Sequence, residues 1–246
     1  SVFASIRDIL QEGNKPSKDR QTVELLQKYF DAVLVHGDRD LVLLSQTFPF
    51  TEEIESMLVY TGIVTPASAD DLRGEERQYD VVVSAGGGLL GRELLFAAAE
   101  AKRKSSLKDL RWCLLTGPFM EDEDRKRLHD FDIDVFAFVP DLHRLLKSAS
   151  LSISLTGYNT VADIMAAGCR AIVAPQWNEK ETEQLRRAEL LANRGLVTML
   201  AHDEKTPSAL NAAIEETMLM PPPDWSSIRQ DGAQETARIL RNTLTS

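Results

Sequence analysis

Cysteine is scarce in this 246-residue chain, which has only Cys113 and Cys169. Two distant cysteines provide neither a disulfide framework nor the close spacing of a metal site. We expect both to be small buried thiols of a reduced, cytosolic protein. No apolar run approaches the roughly 20 residues of a membrane-spanning helix, and the opening residues do not resemble a signal peptide. These absences argue against a secreted disulfide scaffold and against an integral membrane protein.

Positive charge is also in short supply. The chain has 28 Lys and Arg residues against 38 Asp and Glu residues, a net charge of −10, and no long basic run. Such a chain is a poor general binder of nucleic acids or anionic membranes, although backbone N–H groups can still bind a single anion. Hydrophobic residues make up 43% and charged residues 27%, which is ordinary for one large or two modest globular domains.

From residue 80 onward, short apolar runs alternate with helical patterns. The predicted strands are 81–84, 112–115, 134–138, 151–155, 171–174 and 197–200. The predicted helices are 92–101, 122–129, 142–147, 161–167, 181–193 and 207–218, with Gly168 and Gly195 at two helix C-termini. Six strand–helix units in series predict an α/β fold with a Rossmann-like, doubly wound parallel sheet.

The first eighty residues are less regular. We predict a loop at 12–20, a helix at 23–30, a strand at 32–36, a helix at 40–46, a strand at 58–64 and a polar linker at 66–78. Three prolines at 221–223 predict a sharp change of direction before a final helix at 225–243. The chain opens on Ser1, directly in apolar sequence, which predicts a segment cut from a longer protein. A processed N-terminus or a tag remnant is the alternative.

A glycine-rich loop follows the first strand of this series. Gly86, Gly87, Gly88 and Gly91 lead into a helix, and three of them fit the dinucleotide pattern G-x-G-x-x-G. Glycines let the backbone approach a ligand, and a helix N-terminus favours a phosphate. The acidic residue expected at the end of the second strand is missing, because that strand runs into Thr116, Gly117 and Pro118 and the next acid after it is Glu121. NAD or flavin binding and a tight turn without a ligand are both open interpretations of this loop.

A second helix start follows the fourth strand, at Gly157, Tyr158, Asn159 and Thr160. In a parallel sheet it lies at the same edge as the glycine loop, so a diphosphate could accept N–H bonds from both. Asp163 comes three residues after Thr160. This spacing also fits a capping box, and in that interpretation Asp163 has no contact with a ligand.

Other motifs indicate no chemistry. Asp38-Arg39-Asp40 has the D-x-D form of a metal-bridged diphosphate site, but Asp38 as a helix N-cap is the simpler interpretation. The acidic run 121–124 fits a helix start. The four histidines, His36, His129, His143 and His202, have no metal-ligand spacing, and we expect no metal and no cofactor.

The run 154–168 resembles the C-terminal domain of family-28 glycosyltransferases. The resemblance continues through 171–176, Glu183-Gln184 and 190–195, and upstream through 138–142 and the loop 86–91. It covers about residues 80–200 and is strongest at 151–195. Residues 1–60 resemble the end of the acceptor domain in uncharacterised bacterial relatives, and the closing helix resembles the one that crosses back to that domain in the GT-B fold.

The resemblance implies roles for particular residues. Asp163 takes the acidic position that accepts hydrogen bonds from the ribose hydroxyls, where the family usually has Glu. Val139 lies where backbone groups meet the uracil edge, and Leu142 where an apolar side chain covers the base. Glu183 and Gln184 occupy the position of paired glutamines that hold the sugar. Taken alone, Val139 and Leu142 fit core packing, and Glu183 and Gln184 fit a solvated helix face.

The resemblance therefore implies the donor-binding half of an inverting, metal-independent GT-B enzyme that transfers a hexose-type sugar from a UDP-sugar to an unknown acceptor. We divide the chain into residues 1–65 (end of the acceptor domain), 66–223 (nucleotide-sugar domain) and 224–246 (crossing helix). The catalytic base belongs to the acceptor domain and is not assigned, so we expect this segment to be inactive alone. A cytoplasmic location, with peripheral membrane association through the rest of the protein, is implied. An NAD-dependent oxidoreductase, a sugar-nucleotide 2-epimerase and a non-catalytic sugar-nucleotide-binding subunit are the alternatives.

Overall fold

The computed structural model describes residues 1–10, 16–66, 78–86, 91–178, 182–201 and 203–244. Most of the predicted linker 66–78, together with Gly87, Gly88 and His202, lies outside the described residues. The chain forms two compact units. The first contains Ser1–Thr65, Asn178–Glu183 and Ser226–Ser246, and the second contains Pro66–Trp177 and Gln184–Trp225.

The first unit contains a parallel sheet in the order β1-β2-β3. Its strands are β1 (Phe3–Arg7), β2 (Ala32–His36) and β3 (Leu58–Tyr60), and helix α1 (Pro16–Tyr29) connects the first two. The predicted loop at 12–20 is wrong from residue 16 onward, because Pro16 begins the helix, a position where its missing N–H costs nothing.

The predicted helix at 40–46 is wrong as well. The structure has only a 3-10 turn at Leu44–Gln46. The Leu44 N–H donates to the Tyr60 hydroxyl at 2.8 Å, whereas an α-helix would direct it to the carbonyl of Asp40. Asp38 accordingly caps a turn and not a helix: its carboxylate accepts the N–H of Asp40 at 2.8 Å and that of Arg229 at 2.7 Å.

The final helix, α8 (Gly232–Leu244), begins seven residues later than predicted, after a 3-10 turn at Trp225–Ser227. The intervening backbone pairs with another segment of the first unit. Ile63 donates its N–H to the Arg229 carbonyl at 2.8 Å, and Gly232 donates to the Ile63 carbonyl at 3.1 Å. This pairing prevents the helix from starting at residue 225.

The second unit has a six-stranded parallel sheet in the order β6-β5-β4-β7-β8-β9. The strands are β4 (Val81–Ser84), β5 (Trp112–Leu115), β6 (Asp134–Phe136), β7 (Leu151–Ser154), β8 (Arg170–Val173) and β9 (Thr198–Met199). The chain passes outward from β4 to β6 and then returns to β7 beside β4. The predicted doubly wound, Rossmann-like fold is confirmed, with its topological switch point between β4 and β7.

In the described part of the chain, helices connect these strands or follow the last one. They are α2 (Arg92–Lys102), α3 (Asp122–Leu128), α4 (Leu142–Ser148), α5 (Tyr158–Ala167), α6 (Glu183–Ala192) and α7 (Pro207–Leu219). All four residues of β4, β5 and β7 are buried, as in a sheet covered on both faces. The predicted C-terminal glycine of α5 is confirmed, since Gly168 has a left-handed φ of 68°.

Both cysteines are buried and free in this unit, as expected. Burial raises the pKa of each thiol to about 12. The thiolate, the reactive form, is therefore disfavoured at neutral pH.

Candidate functional site

A cavity of about 400 Å³ opens at the carboxyl edge of the six-stranded sheet. Its walls come from the segments that follow β4, β5 and β6, and from α5, which follows β7. The lining residues are Pro66, Ser84, Gly86, Leu115, Gly117, Pro118, Ala137, Phe138, Val139, Pro140, Asp141, Leu142, His143, Thr160 and Asp163. Ligands of open α/β sheets bind in the crevice at this edge, near the switch point.

The loop between β6 and α4 forms one wall of the cavity. Val139 and Leu142 line it and are half-buried, and neither belongs to the buried core of the unit. Phe138, beside them, leaves 72% of its surface exposed. This wall therefore offers apolar surface to a flat ligand such as a nucleobase.

Asp163 projects from α5 into the same cavity, together with Thr160. The helix begins at Tyr158 with Gly157 as its N-cap and without a side-chain cap bond, so the capping-box interpretation of Thr160 and Asp163 is wrong. Asp163 is half-buried; burial raises the pKa of its carboxyl group, and the charge of His143 opposes this shift. The structure thus places a partly desolvated carboxyl group in the same cavity as the apolar wall.

The turn before α5 has unused space at Gly157. Its φ of −65° is ordinary for any residue, and a Cβ added there would have no atom within 4 Å. Neither backbone strain nor crowding within the protein requires glycine at this position. Of its predicted neighbours in the site, Tyr158 is buried and Asn159 is exposed.

The glycines of the first loop serve other needs. Gly86 has a φ of 63°, a left-handed conformation that favours glycine. A Cβ on Gly91 would lie 2.3 Å from the Cβ of Ala85, so glycine is required where α2 begins against the end of β4.

Two side chains of α6 hold the turn before α5. The Gln184 side-chain carbonyl accepts the N–H groups of Thr156 at 3.2 Å and Gln176 at 3.3 Å. Arg187, only 1% exposed, donates to the Thr156 carbonyl at 2.9 Å. Sequence analysis missed Arg187, because nothing in the polar run around it signals a buried guanidinium.

The remaining predicted residues are distributed as follows. Gln184 belongs to the second unit, whereas Glu183, in the first turn of α6, belongs to the first unit.

The segment after β5 continues through Thr116 and Gly117, and Glu121 is the N-cap of α3. No acidic residue therefore stands directly at the end of β5, where a dinucleotide-binding domain holds the adenosine ribose.

Among the described residues, no three His, Cys, Asp or Glu side chains come close enough to hold a metal ion. Within the same residues, every helix is too short or too polar to cross a bilayer.

A doubly wound sheet with a cavity beyond its switch point is the arrangement in which open α/β domains bind their ligands. Residues 81–240 match the model of the glycosyltransferase family 28 C-terminal domain. The chain belongs to this glycosyltransferase family, and the resemblance seen in the sequence is confirmed.

Relatives extend the likeness beyond the matched domain. An uncharacterised glycosyltransferase of Methanopyrus kandleri is 27% identical over 218 residues, covering 83% of this chain and 61% of the relative. The UDP-N-acetylglucosamine–N-acetylmuramyl-(pentapeptide) pyrophosphoryl-undecaprenol N-acetylglucosamine transferase of Thermotoga sp. strain RQ2 is 24% identical over 197 residues, covering 80% of this chain and 53% of the relative. The chain thus spans little more than half the length of these relatives.

A solved structure shares the fold. The crystal structure of Acinetobacter baumannii MurG aligns with a TM-score of 0.57 at 18% identity, covering 90% of this chain and 64% of that one. At this sequence identity the structural similarity supports the GT-B fold, but not a particular donor, acceptor or residue role.

Proposed function

We propose that the second unit binds a UDP-sugar, and that the whole protein transfers a hexose-type sugar from it to an acceptor with inversion and without a metal. The observation that carries this proposal is the cavity at the carboxyl edge, which is lined both by the half-buried Asp163 and by the apolar side chains of Val139 and Leu142. A nucleoside has matching chemistry, with one flat face and a pair of vicinal hydroxyls.

The nucleoside is assigned to two groups of residues. Leu142 covers one face of the uracil, and backbone groups at Val139 pair with its edge. Asp163 accepts hydrogen bonds from both ribose hydroxyls, because a carboxylate has acceptor sites for two O–H donors. Asp163 is not part of a capping box, and it lines the cavity. Both observations support this assignment, because the carboxyl group can then bind a ligand there.

The diphosphate is assigned to the helix starts at Gly157 and Gly91. Helix N-termini carry unpaired N–H groups and partial positive charge, which favour phosphate. The open space at Gly157 supports an approach of phosphate oxygens to this backbone. Tyr158, Asn159 and Thr160 supply the following N–H groups, and Thr160 adds a hydroxyl. The predicted contributions of Gly86, Gly87 and Gly88 belong to the same proposal.

The sugar is assigned to Glu183 and Gln184. The carbonyl oxygen of Gln184 already accepts two backbone N–H groups, so it contributes through its amide nitrogen while keeping the turn before α5 in place. The acceptor oxygen attacks the anomeric carbon as the diphosphate leaves, and both helix starts stabilise the developing charge.

The remaining assignments concern the whole protein. We propose that residues 1–65 end an acceptor domain, that 66–223 form the donor domain and that 224–246 are the crossing helix of the GT-B arrangement. The catalytic base lies in the acceptor domain. A cytoplasmic location, with peripheral contact to membranes, suits the use of a soluble donor.

UDP, and not NAD, is expected to stabilise this chain against unfolding. At a UDP concentration of ~100 Kd, linkage predicts roughly 2.7 kcal/mol of added stability. Thermal unfolding with millimolar UDP, dTDP or NAD measures this directly, and dTDP reports on the 2′-hydroxyl that Asp163 is proposed to hold. A clear response to NAD with none to UDP would reverse the assignment in favour of an oxidoreductase.

A further inference from the structure

Lys205 lies at the carboxyl edge of the six-stranded sheet, outside the cavity described above. It follows β9 and comes one residue before Thr206, whose side chain accepts the N–H of Ala209 and caps α7. Its side chain is half-buried, and among the other described lysines of the second unit only Lys102 is shielded from solvent. Such a position is costly for a flexible, strongly hydrated ammonium group.

The Lys205 side chain reaches toward the loops assigned to the diphosphate. Its ammonium donates to the side-chain carbonyl of Gln176 at 3.0 Å. Gln176 follows β8, and its own N–H donates to Gln184, the residue that also holds the turn before α5. The ammonium is therefore linked, through Gln176 and then the side chain of Gln184, to Thr156 in the proposed phosphate-binding turn.

The start of α2 lies near this ammonium as well. Burial lowers the pKa of Lys205, and the negative charge of Glu93, in the first turn of α2, partly restores it. Within the described residues, no carboxylate forms an ion pair with Lys205, and its hydrogen-bond partner is a neutral amide. A half-buried cation whose hydrogen-bond partner is a neutral amide is suited to an anionic ligand.

We propose that Lys205 binds the outer phosphate of the donor diphosphate and neutralises it as the leaving group. This inference rests on the proposed function and names a residue that the resemblance did not assign. In the transfer step, the acceptor oxygen forms a bond to the anomeric carbon while the bond from that carbon to the phosphate oxygen breaks. The electron pair stays on the phosphate, the acceptor proton passes to a base or to solvent, and the ammonium remains protonated beside the new charge.

Binding of uridine, UMP and UDP to this chain isolates the contribution of the outer phosphate. Lys205→Gln keeps a polar group next to Gln176 but removes the charge. We expect calorimetry to show an affinity for UDP weakened by about tenfold or more, the usual effect of losing a charge-assisted hydrogen bond. Affinities for uridine and UMP should change by less than about twofold. Lys205→Arg should retain most of the UDP affinity, because it retains the charge.

Lys104→Gln is the matched control, since it removes an exposed lysine beyond the C-terminal end of α2. A general effect of net charge would weaken UDP binding equally in both variants and would overturn the proposal. An equal loss of uridine and UDP affinity in Lys205→Gln would also overturn it, because Lys205 would then merely support the fold. If the wild-type chain binds uridine and UDP equally well, the result supports nucleoside binding in the cavity and contradicts the role of Lys205 in binding the outer phosphate. If it binds neither ligand, the proposed function itself fails.

Discussion

Asp163→Asn is expected to weaken UDP binding by roughly ten- to a hundredfold, because hydrogen bonds to a charged group contribute about 1.5–3 kcal/mol. The amide retains one acceptor oxygen and loses the charge that favours two ribose hydroxyls at once. Calorimetric titration of both proteins with UDP measures the change. An unchanged dissociation constant would remove Asp163 from the ribose site.

The same substitution is not expected to lower stability. Because burial raises the pKa of Asp163 in the folded state, the folded protein favours the protonated carboxyl group. Its contribution to stability is present below the unfolded-state pKa and is lost as pH rises through the folded-state pKa. At neutral pH the ionised side chain therefore costs stability, and Asn removes this cost.

Denaturant unfolding measures this at neutral and acidic pH. At neutral pH the free energy of unfolding of Asp163→Asn should equal or exceed that of the wild type, and in acid the difference should vanish. Asp109→Asn is the control, because Asp109 is an exposed carboxylate of the second unit that does not line the cavity. A similar loss of UDP affinity in this control would attribute the effect to net charge. A large loss of stability in Asp163→Asn would restore a structural role for the carboxylate.

Gly91→Ala is expected to destabilise the second unit by about 3 kcal/mol, at the upper end of overpacking effects. The added methyl group would lie 2.3 Å from the Cβ, 2.7 Å from the Cα and 2.9 Å from the carbonyl oxygen of Ala85. Two of these atoms belong to the backbone at the end of β4, so relief requires moving α2 or the strand. Urea unfolding followed by near-ultraviolet circular dichroism, which reports on the buried Trp112 of β5, measures the loss.

Gly157→Ala is the matched substitution at the other helix start, and it should separate binding from folding. Its methyl group would meet nothing within 4 Å, so stability should stay within about 0.5 kcal/mol of wild type. UDP affinity should fall, because the space is assigned to the phosphates. Normal UDP binding by this variant would exclude a close approach of the diphosphate to this turn. For the Gly91→Ala prediction, a variant as stable as the wild type would be the contradicting result, because it would show that α2 can move without a loss of stability.

The strands of the second unit were predictable from the sequence because each buried strand is a short apolar run between polar, helical segments. The predicted strand 81–84 is the observed β4, and 112–115 is the observed β5. The motif around Gly157 and Asp163 was sufficient to identify the family. Local pattern and global fold agree in these segments, so local information suffices.

The predictions that the structure contradicts failed for a different physical reason. The helix predicted at 40–46 gives way to a bond from Leu44 to Tyr60, and the start of α8 is delayed by backbone pairing with Ile63. In both cases a partner distant in sequence takes the hydrogen bond that a local helix would use. Sequence periodicity also gives no sign of the bonds from Arg187 to the Thr156 carbonyl and from Lys205 to the Gln176 side chain, because the partners are distant in sequence.

Helix α6 determines how this domain can be redesigned. Gln184 and Arg187, one helical turn apart, fix the backbone on either side of Thr156, while the first turn of the helix is assigned to the sugar. Grafting the start of α6 from an enzyme with another donor would change the sugar contacts and loosen the phosphate turn together. A chimera intended to accept a new donor must therefore exchange the segment from β7 through α6 as one cassette, and point substitutions at Glu183 alone are the safer route to altered sugar preference.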